Sequence, residues 1–275
     1  MKLWQKEINT PLGDRGKEVE TFTVGKDREM DMYLAAFDVL GSLAHTIMLE
    51  NAGLLTKEDL EVLKIELKKI YKNIQEGNFS LQDNVEDIHS QVELILTERL
   101  GDIGKKIHSA RSRNDQVLVD VKLFLRNEIE EIVNAIQPFF QLLQQQSEAF
   151  KNHLFPGYTH LQIAMPSSFG LWFGAYAESL VDDVTTLHAA YKVVNKNPLG
   201  SAAGYGSSFP INRTLTTQLL GFENLNYNVV YAQMGRGKAE RITAQALANV
   251  ADTLSRLSMD MTLYLNQNFD FVSFP

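Results

Sequence analysis

The polar run from His108 to Val117 holds the densest group of side chains that could do chemistry. Six consecutive polar residues lie inside it: Arg111, Ser112, Arg113, Asn114, Asp115 and Gln116. Arginine offers paired N–H donors to a carboxylate, and serine and asparagine add short hydrogen bonds. The run therefore predicts a pocket for a small polyanionic ligand. An ordinary helix start with a serine or asparagine cap explains the same residues, and both interpretations stay open on the run alone.

His160 is the second residue with a chemical interpretation. It lies in a polar, glycine-bearing segment, directly after Thr159 and two residues before Gln162. A histidine titrates near neutral pH and can act as a general acid or base. A structural histidine bonded to the backbone is the alternative. His89, in the polar run Gln82–Ser90, either points into a site or caps a helix.

Motifs for metals, nucleotides and covalent nucleophiles are absent from the sequence. There is no cysteine, which excludes disulfides, zinc–thiolate sites and cysteine nucleophiles. The histidines are not paired at ligand spacing, and the glycines between Gly200 and Gly206 do not follow a predicted strand. We therefore expect no metal and no cofactor, and we expect acid–base chemistry on a small anionic substrate.

The elements that must position these side chains are predicted to be helices. An apolar pattern covers residues 30–52, and Thr56 then looks like the N-cap of a helix. A further helix is expected at about Val85–Leu100. The face of the Thr56 helix is predicted from steps of three and four residues between Leu60, Leu63, Leu67 and Ile70.

Three long periodic segments follow, and their alternating steps of three and four are typical of coiled-coil-like rods. Pro138 falls inside the first and is expected to kink or divide it. Lys151–Ser167 and Asn195–Arg213 separate the rods and are interpreted as functional loops, because no convincing period-2 strand series is found. The prediction is an all-α protein with domains at residues 1–111 and 112–275.

Composition narrows the function classes. The chain has 275 residues and a net charge of −8, which argues against a general nucleic-acid or anionic-membrane binder. No stretch approaches the ~18 uncharged apolar residues of a membrane span, and the first residues contain no apolar signal region. We expect a soluble, cytoplasmic protein.

The motifs resemble those of a known enzyme family. Ser109–Val117 and Gly157–Pro166 are similar to two signature segments of argininosuccinate lyase, within the fumarase/aspartase superfamily. Further stretches agree in the same order along the chain: Asp38–His45, Glu86–His89, Asn197–Gly200 and Phe209–Arg213.

The resemblance implies a helical N-terminal domain followed by a long-helix bundle domain, incomplete here, that joins four subunits. It implies reversible elimination of fumarate from argininosuccinate, which releases arginine without a cofactor. A base removes a proton beside a carboxylate, an aci-carboxylate carbanion forms, and an acid assists departure of the guanidinium nitrogen. Active sites are then shared between the subunits of a homotetramer.

Residue roles also follow from the resemblance. His160 corresponds to the catalytic histidine, as an acid–base partner or as the group that orients one. The implied substrate-binding residues are Ser112, Arg113, Asn114, Thr159, Gln162, Asn84, His89 and Asp27. Arg113 and Asn114 should hold carboxylate and amino-acid groups, and Thr159 a carboxylate.

Three departures from the family pattern matter. Leu3–Glu7 stands where the family has Trp-Gly-Gly-Arg-Phe, and Asp27 aligns with a substrate-binding serine. The sequence stops at Pro275, before the flexible loop that supplies the family's catalytic serine and a lysine. We therefore expect a truncated chain with little or no turnover by itself. A sister lyase acting on adenylosuccinate, fumarate or aspartate, and a non-catalytic lyase-derived scaffold, are the alternatives.

Overall fold

The computed structural model describes residues 21–22, 24–82 and 85–273, and it is mainly helical. The all-α fold class is confirmed. The chain forms two compact units. The first unit comprises Met1–Phe124 and Asn195–Arg236, and the second comprises Leu125–Val194 and Gly237–Pro275. The domain boundary expected between residues 111 and 112 stays a prediction.

The first unit is built from short and medium helices. In its first segment these are α1 (Asp27–Asp31), α2 (Ala35–Asn51), α3 (Lys57–Gln75), α4 (Ile88–Leu100), α5 (Asp102–Lys105), a 3-10 turn (Lys106–His108) and the start of α6 (Arg113–Ala149). Its second segment adds β3 (Lys196–Asn197), α8 (Arg213–Leu219), β4 (Asn224–Leu225) and α9 (Val229–Met234). Strands β3 and β4 pair in parallel, with Lys196 opposite Asn224.

Local sequence signals explain the helix starts in this unit. Thr56 caps α3 as predicted, because its side chain accepts a hydrogen bond from the Asp59 N–H. Asp87 caps α4 through the Ser90 N–H, so this helix begins at Ile88 rather than near Val85. The predicted apolar face of α3 is buried at all four positions, Leu60, Leu63, Leu67 and Ile70.

The second unit consists of long helices and one hairpin. It contains α6 from Leu125 onward, β1 (Leu154–Thr159), β2 (Gln162–Ser168), α7 (Phe169–Val194) and α10 (Lys238–Leu265). Its core joins buried side chains of all three helices, among them Ile129, Leu143, Leu180, Leu187, Val250 and Leu257. Long apolar stripes on each helix therefore hold this unit together.

Pro138 does not divide α6, which runs without interruption from Arg113 to Ala149. A proline inside a helix costs one backbone hydrogen bond and a clash with the preceding turn. Ile136 and Leu143, on either side of the proline, are buried in the same core. That shared burial stabilises both halves of one continuous helix, so the expected division is wrong, and the expected kink stays a prediction.

The segment interpreted as the loop Lys151–Ser167 is in fact mostly a β-hairpin. Strands β1 and β2 pair antiparallel, with Thr159 opposite Gln162 and an irregularity between Gly157 and Tyr158. The expectation of a helical chain without a strand series is wrong here. Most hairpin side chains are exposed or half-buried, so no buried face imposes an apolar–polar alternation on the sequence.

Across the described ranges, none of the helices combines the length and the apolar character that crossing a membrane requires.

Candidate active site

The polar run forms the head of α6 in the first unit. The Ser112 Oγ accepts hydrogen bonds from the Asn114 N–H and from its Nδ2, both at 3.2 Å. The Asp115 Oδ1 accepts from the Ser112 N–H at 3.0 Å. These are capping contacts, so the helix-start interpretation is correct for Ser112 and Asp115. The first turn of α6 also carries Arg113 and the exposed side chain of Asn114.

Arg113 is held by the first turn of α4. Its Nη1 donates to the Asp87 Oδ1 at 2.6 Å and to the Ser90 Oγ at 3.1 Å. Its Nη2 lies 3.7 Å from the Glu93 Oε2. The guanidinium is about one quarter exposed, so it is oriented by its neighbours and still reaches solvent. A fixed, partly open guanidinium is suited to binding a carboxylate.

Asp115 ties the glycine-bearing segment to the head of α6. Its Oδ2 accepts from the Gly200 N–H at 2.9 Å and from the Ala202 N–H at 3.0 Å. Burial raises the pKa of Asp115, while these N–H donors act in the opposite direction. Gly200 has φ +82°, and a Cβ there would lie 2.7 Å from the Arg213 Cγ. Glycine is therefore required at this position.

Polar contacts also order the rest of that segment. The Arg213 Nε donates to the Leu199 carbonyl at 2.8 Å, and its Nη2 donates to the Asn226 carbonyl at 2.7 Å. The Gln233 Nε2 donates to the Ala202 carbonyl at 3.0 Å. Side chains thus satisfy several backbone groups of Asn195–Arg213, in addition to the backbone pairing of β3.

Behind the head of α6 lies a buried charged cluster, formed by Asp38, His89 and Asp120. The His89 Nδ1 lies 2.8 Å from the Asp38 Oδ1 and 3.4 Å from the Asp120 Oδ2. The Gln116 Nε2 donates to the Asp38 Oδ1 at 2.6 Å. Both carboxyl side chains are 0% exposed, and His89 is 4% exposed. His89 is therefore an interior residue with close carboxyl partners, and its role toward a substrate stays a prediction.

The surroundings shift the pKa values of the Asp38 and Asp120 carboxyl groups in opposite directions. Burial raises the pKa of Asp38, but His89, Arg111 and Gln116 outweigh burial and hold it below its ordinary value. Burial and the neighbouring Asp38 raise the pKa of Asp120 well above its ordinary value. Two like charges this close inside a protein do not both ionise readily.

Arg111 supplies positive charge to this cluster from inside the protein. It is buried, its Nη1 donates to the Ser42 Oγ at 3.1 Å, and burial lowers its pKa although Asp38 and Asp120 oppose that shift.

His45, close by, has its pKa lowered to about 3 by burial and by Arg111. Its neutral ring bonds the Ser109 carbonyl at 2.8 Å, which is the structural role expected of it.

The same cluster has the residue types of a metal site. One ligand atom each from Asp38, His89 and Asp120 lie within 4.8 Å of one another. Arg111 interacts with both carboxylates, so the protein already provides a cation where a metal ion would otherwise balance them. The donor set therefore fits an internal ion network better than a metal.

The second unit carries the other predicted site residues at the tip of its hairpin. Thr159, His160 and Gln162 are all exposed. His160 and Leu161 form the two-residue turn, with φ of +53° and +60°. Histidine tolerates this left-handed region better than leucine does. The turn thus projects the imidazole from a rigid strand pair, since the flanking residues Thr159 and Gln162 are paired.

The two remaining predicted residues are Asp27 and Asn84. Asp27 is exposed at the start of α1. Asn84 lies outside the described residues. Among the rest, Ser112, Arg113, Asn114 and His89 share the first unit, where Asp87 and Ser90 link the first turn of α4 to Arg113. Thr159, His160 and Gln162 belong to the second unit.

Sequence reasoning missed several residues of this site as functional candidates. They are Asp38, Asp87, Ser90 and Asp120. A signal for Asp38 was available, because it is the only carboxylate in the apolar stretch from Ala35 to Leu49 of α2. A buried charge requires a partner, and such a residue therefore indicates a polar cluster.

A family model described as lyase matches residues 18–275 of this chain. Among solved structures, an EDDS lyase variant with bound fumarate aligns with a TM-score of 0.78 and 25% identity, covering 87% of this chain and 47% of that one. A Brucella melitensis fumarate lyase:delta crystallin bound to cobalt aligns with a TM-score of 0.76 over 90% of this chain and 59% of that one, and at 19% identity it shows the fold alone. Fold and family model together define the class as a lyase.

Curated relatives narrow the class. An argininosuccinate lyase of Bacteroides thetaiotaomicron is 64% identical over 274 residues, covering 100% of this chain and 60% of that protein. An argininosuccinate lyase of Thermotoga neapolitana is 35% identical over 274 residues and is covered to 68%. The chain belongs to the argininosuccinate lyase family. It spans less than two thirds of the length of the Bacteroides relative.

Proposed function

We propose that this chain is part of an enzyme that eliminates fumarate from argininosuccinate and releases arginine, in a reversible reaction. The observation that carries the proposal is the 64% identity with an argininosuccinate lyase along the whole chain. The head of α6 supports it, because Arg113 and Asn114 are suited to a substrate with three carboxylates.

The first unit supplies binding in this proposal. Asp87 and Ser90 hold one edge of the Arg113 guanidinium, and the arginine remains partly open to a substrate carboxylate. Ser112 restrains the Asn114 amide through its Nδ2, so the Asn114 carbonyl oxygen can accept from an amino group. A guanidinium fixed in advance loses little rotational freedom when the substrate arrives.

The second unit supplies acid–base chemistry. The turn exposes the His160 imidazole, and Thr159 beside it offers a hydroxyl to a carboxylate. During elimination the C–H bond next to a carboxylate breaks and its proton passes to a base. The carbon–nitrogen bond then breaks, and the departing guanidinium nitrogen takes up a proton from an acid. His160 acts as one of these partners or orients it.

A homotetramer with active sites shared between subunits belongs to the same proposal. Exposed apolar side chains support association: Leu171 and Val181 on α7, and Leu254 and Met259 on α10. Sedimentation at micromolar concentration should give an oligomer, and a stable monomer would count against the assembly. The cytoplasm is the expected location, which cell fractionation can check.

The activity is tested by following the ultraviolet absorbance of fumarate during argininosuccinate cleavage. We expect the 275-residue chain by itself to have little or no turnover, because the family's serine loop is not among its residues. Robust turnover by this chain would refute that expectation. A panel of argininosuccinate, adenylosuccinate and aspartate with the full-length protein tests substrate class, and saturable argininosuccinate binding separates an enzyme from a scaffold.

A further inference from the structure

The buried cluster behind α6 carries an inference about how His89 is held. Asp38 comes from α2, His89 from α4 and Asp120 from α6, and all three side chains are almost fully enclosed. Three separate elements thus converge on one imidazole nitrogen, Nδ1. The distances of 2.8 Å to Asp38 and 3.4 Å to Asp120 make Asp38 the principal partner.

Buried carboxyl oxygens without a hydrogen-bond partner indicate that the cluster holds a shared proton. The Asp38 Oδ2 and both Asp120 carboxyl oxygens are buried without a hydrogen-bond partner among the described residues. Two carboxylates cannot donate to each other, so they remain unsatisfied while both are ionised. One oxygen of each group lies within 4.8 Å of the other, and the neighbouring Asp38 is one cause of the raised pKa of Asp120. One proton placed between them pairs an Asp120 oxygen with the Asp38 carboxylate and removes the like-charge repulsion.

The surroundings decide which carboxyl group carries that proton. Asp38 receives hydrogen bonds from His89 and Gln116, and Arg111 adds attraction, all of which favour its ionised form. Asp120 faces Asp38, Arg111 and, at longer range, Asp31, and its oxygens receive no donor from these neighbours. The proton therefore resides on Asp120.

We propose that Asp38 is an ionised positioning residue that holds the Nδ1–H of His89, with Asp120 as its protonated, neutral partner. The ring then keeps a single orientation, with Nε2 as the nitrogen that carries no proton while the ring is neutral. His89 lies in the same helical turn as Asp87 and Ser90, which hold Arg113. The role of Nε2 toward a substrate rests on the proposed function, whereas the protonation pattern does not.

The test uses the 275-residue chain labelled with ¹⁵N and long-range ¹H–¹⁵N correlation of its histidine rings. A His89→Asn variant assigns the His89 signals. In the native chain we expect His89 to carry a proton on Nδ1. A neutral ring with its proton on Nε2 would overturn the proposal without any variant being needed.

Two isosteric substitutions then separate the carboxyl groups. Asp120→Asn keeps a neutral group of the same shape, so the His89 signals should stay close to those of the native chain and the unfolding midpoint should not fall. Asp38→Asn removes the charge, and we expect the Nδ1–H preference to weaken and the midpoint to fall. A weakened Nδ1–H preference or a lowered midpoint in Asp120→Asn would contradict the assignment.

These measurements do not depend on turnover. A protein with the expected histidine pattern and no argininosuccinate activity would retain this inference and lose the proposed function. An active enzyme with the opposite tautomer would retain the function and lose the inference.

Discussion

The two units of this chain handle polar chemistry in opposite ways. In the first unit, Asp38, Arg111 and Asp120 are enclosed and connected to His89. In the second unit the core is mainly apolar, and His160 lies exposed at a hairpin tip. A buried charge depends on its partners for stability, whereas an exposed imidazole does not. Substitution within the buried cluster should therefore affect folding of the first unit, and substitution of His160 should leave folding of the second almost unchanged.

The largest effect is expected from Arg111→Ala. Removing the internal cation leaves buried carboxylate charge without compensation, which should lower the free energy of unfolding by about 3–5 kcal/mol. Urea unfolding followed by circular dichroism measures this loss. Arg256→Ala is the matched control, because Arg256 pairs with Asp252 at 2.9 Å on the exposed face of α10, and it should cost no more than about 0.5 kcal/mol. Equal losses from the two variants would remove the contrast between the units.

Leu187→Ala should produce the next largest effect, and in the second unit. Leu187 is 0% exposed within its apolar core, so truncation leaves a cavity and costs about 3 kcal/mol. Trp172 contacts this unit's aromatic residues and reports its unfolding, once Trp4 is replaced by phenylalanine. Leu142→Ala on the exposed side of α6 is the control, with an expected change below about 0.5 kcal/mol.

The pH dependence of stability should distinguish Asp120. Its pKa is raised in the folded state well above its ordinary value, by burial and by the neighbouring Asp38, so the folded protein binds a proton that the unfolded chain releases. The stabilisation is complete below the unfolded pKa and is lost as pH rises through the folded pKa. Native stability should therefore fall relative to Asp120→Asn by about 1.4 kcal/mol per pH unit within that window. Parallel stability curves for the two proteins would contradict this.

The smallest effects belong to the hairpin turn. His160→Asn should change the unfolding free energy by less than about 0.5 kcal/mol, because the side chain is exposed and asparagine also tolerates positive φ. Leu161→Gly should stabilise the chain by about 1 kcal/mol, since φ of +60° strains a leucine. A large loss from His160→Asn would mean that the second unit also depends on its exposed polar residue.

Some of this could be read from local sequence because the cause is local. The Thr56 cap and the face formed by Leu60, Leu63 and Leu67 depend only on neighbours within a few turns. The polar run predicted a helix start, and Ser112 and Asp115 provide it. The hairpin at Leu154–Ser168 escaped prediction because its side chains face solvent on both sides, which leaves no periodic signal.

The residues of the candidate site also fall into two groups, those predicted from local sequence and those that only the fold brings together. Arg113, Asn114, Thr159 and His160 were identified from motifs and remain predicted site residues. Asp38 and Asp120 were missed because they lie far apart in the sequence. In the fold, α2, α4 and α6 bring them together at His89.

By itself, the sequence determined the helical class, the lyase motifs and the helix caps, because periodicity and capping act over short stretches of chain. Only the tertiary structure decided the environment of each ionisable group. The pKa directions of Asp38 and Asp120 differ although the residues are chemically identical. Burial and the donors brought by other segments cause that difference, and neither is written in the residues adjacent to them.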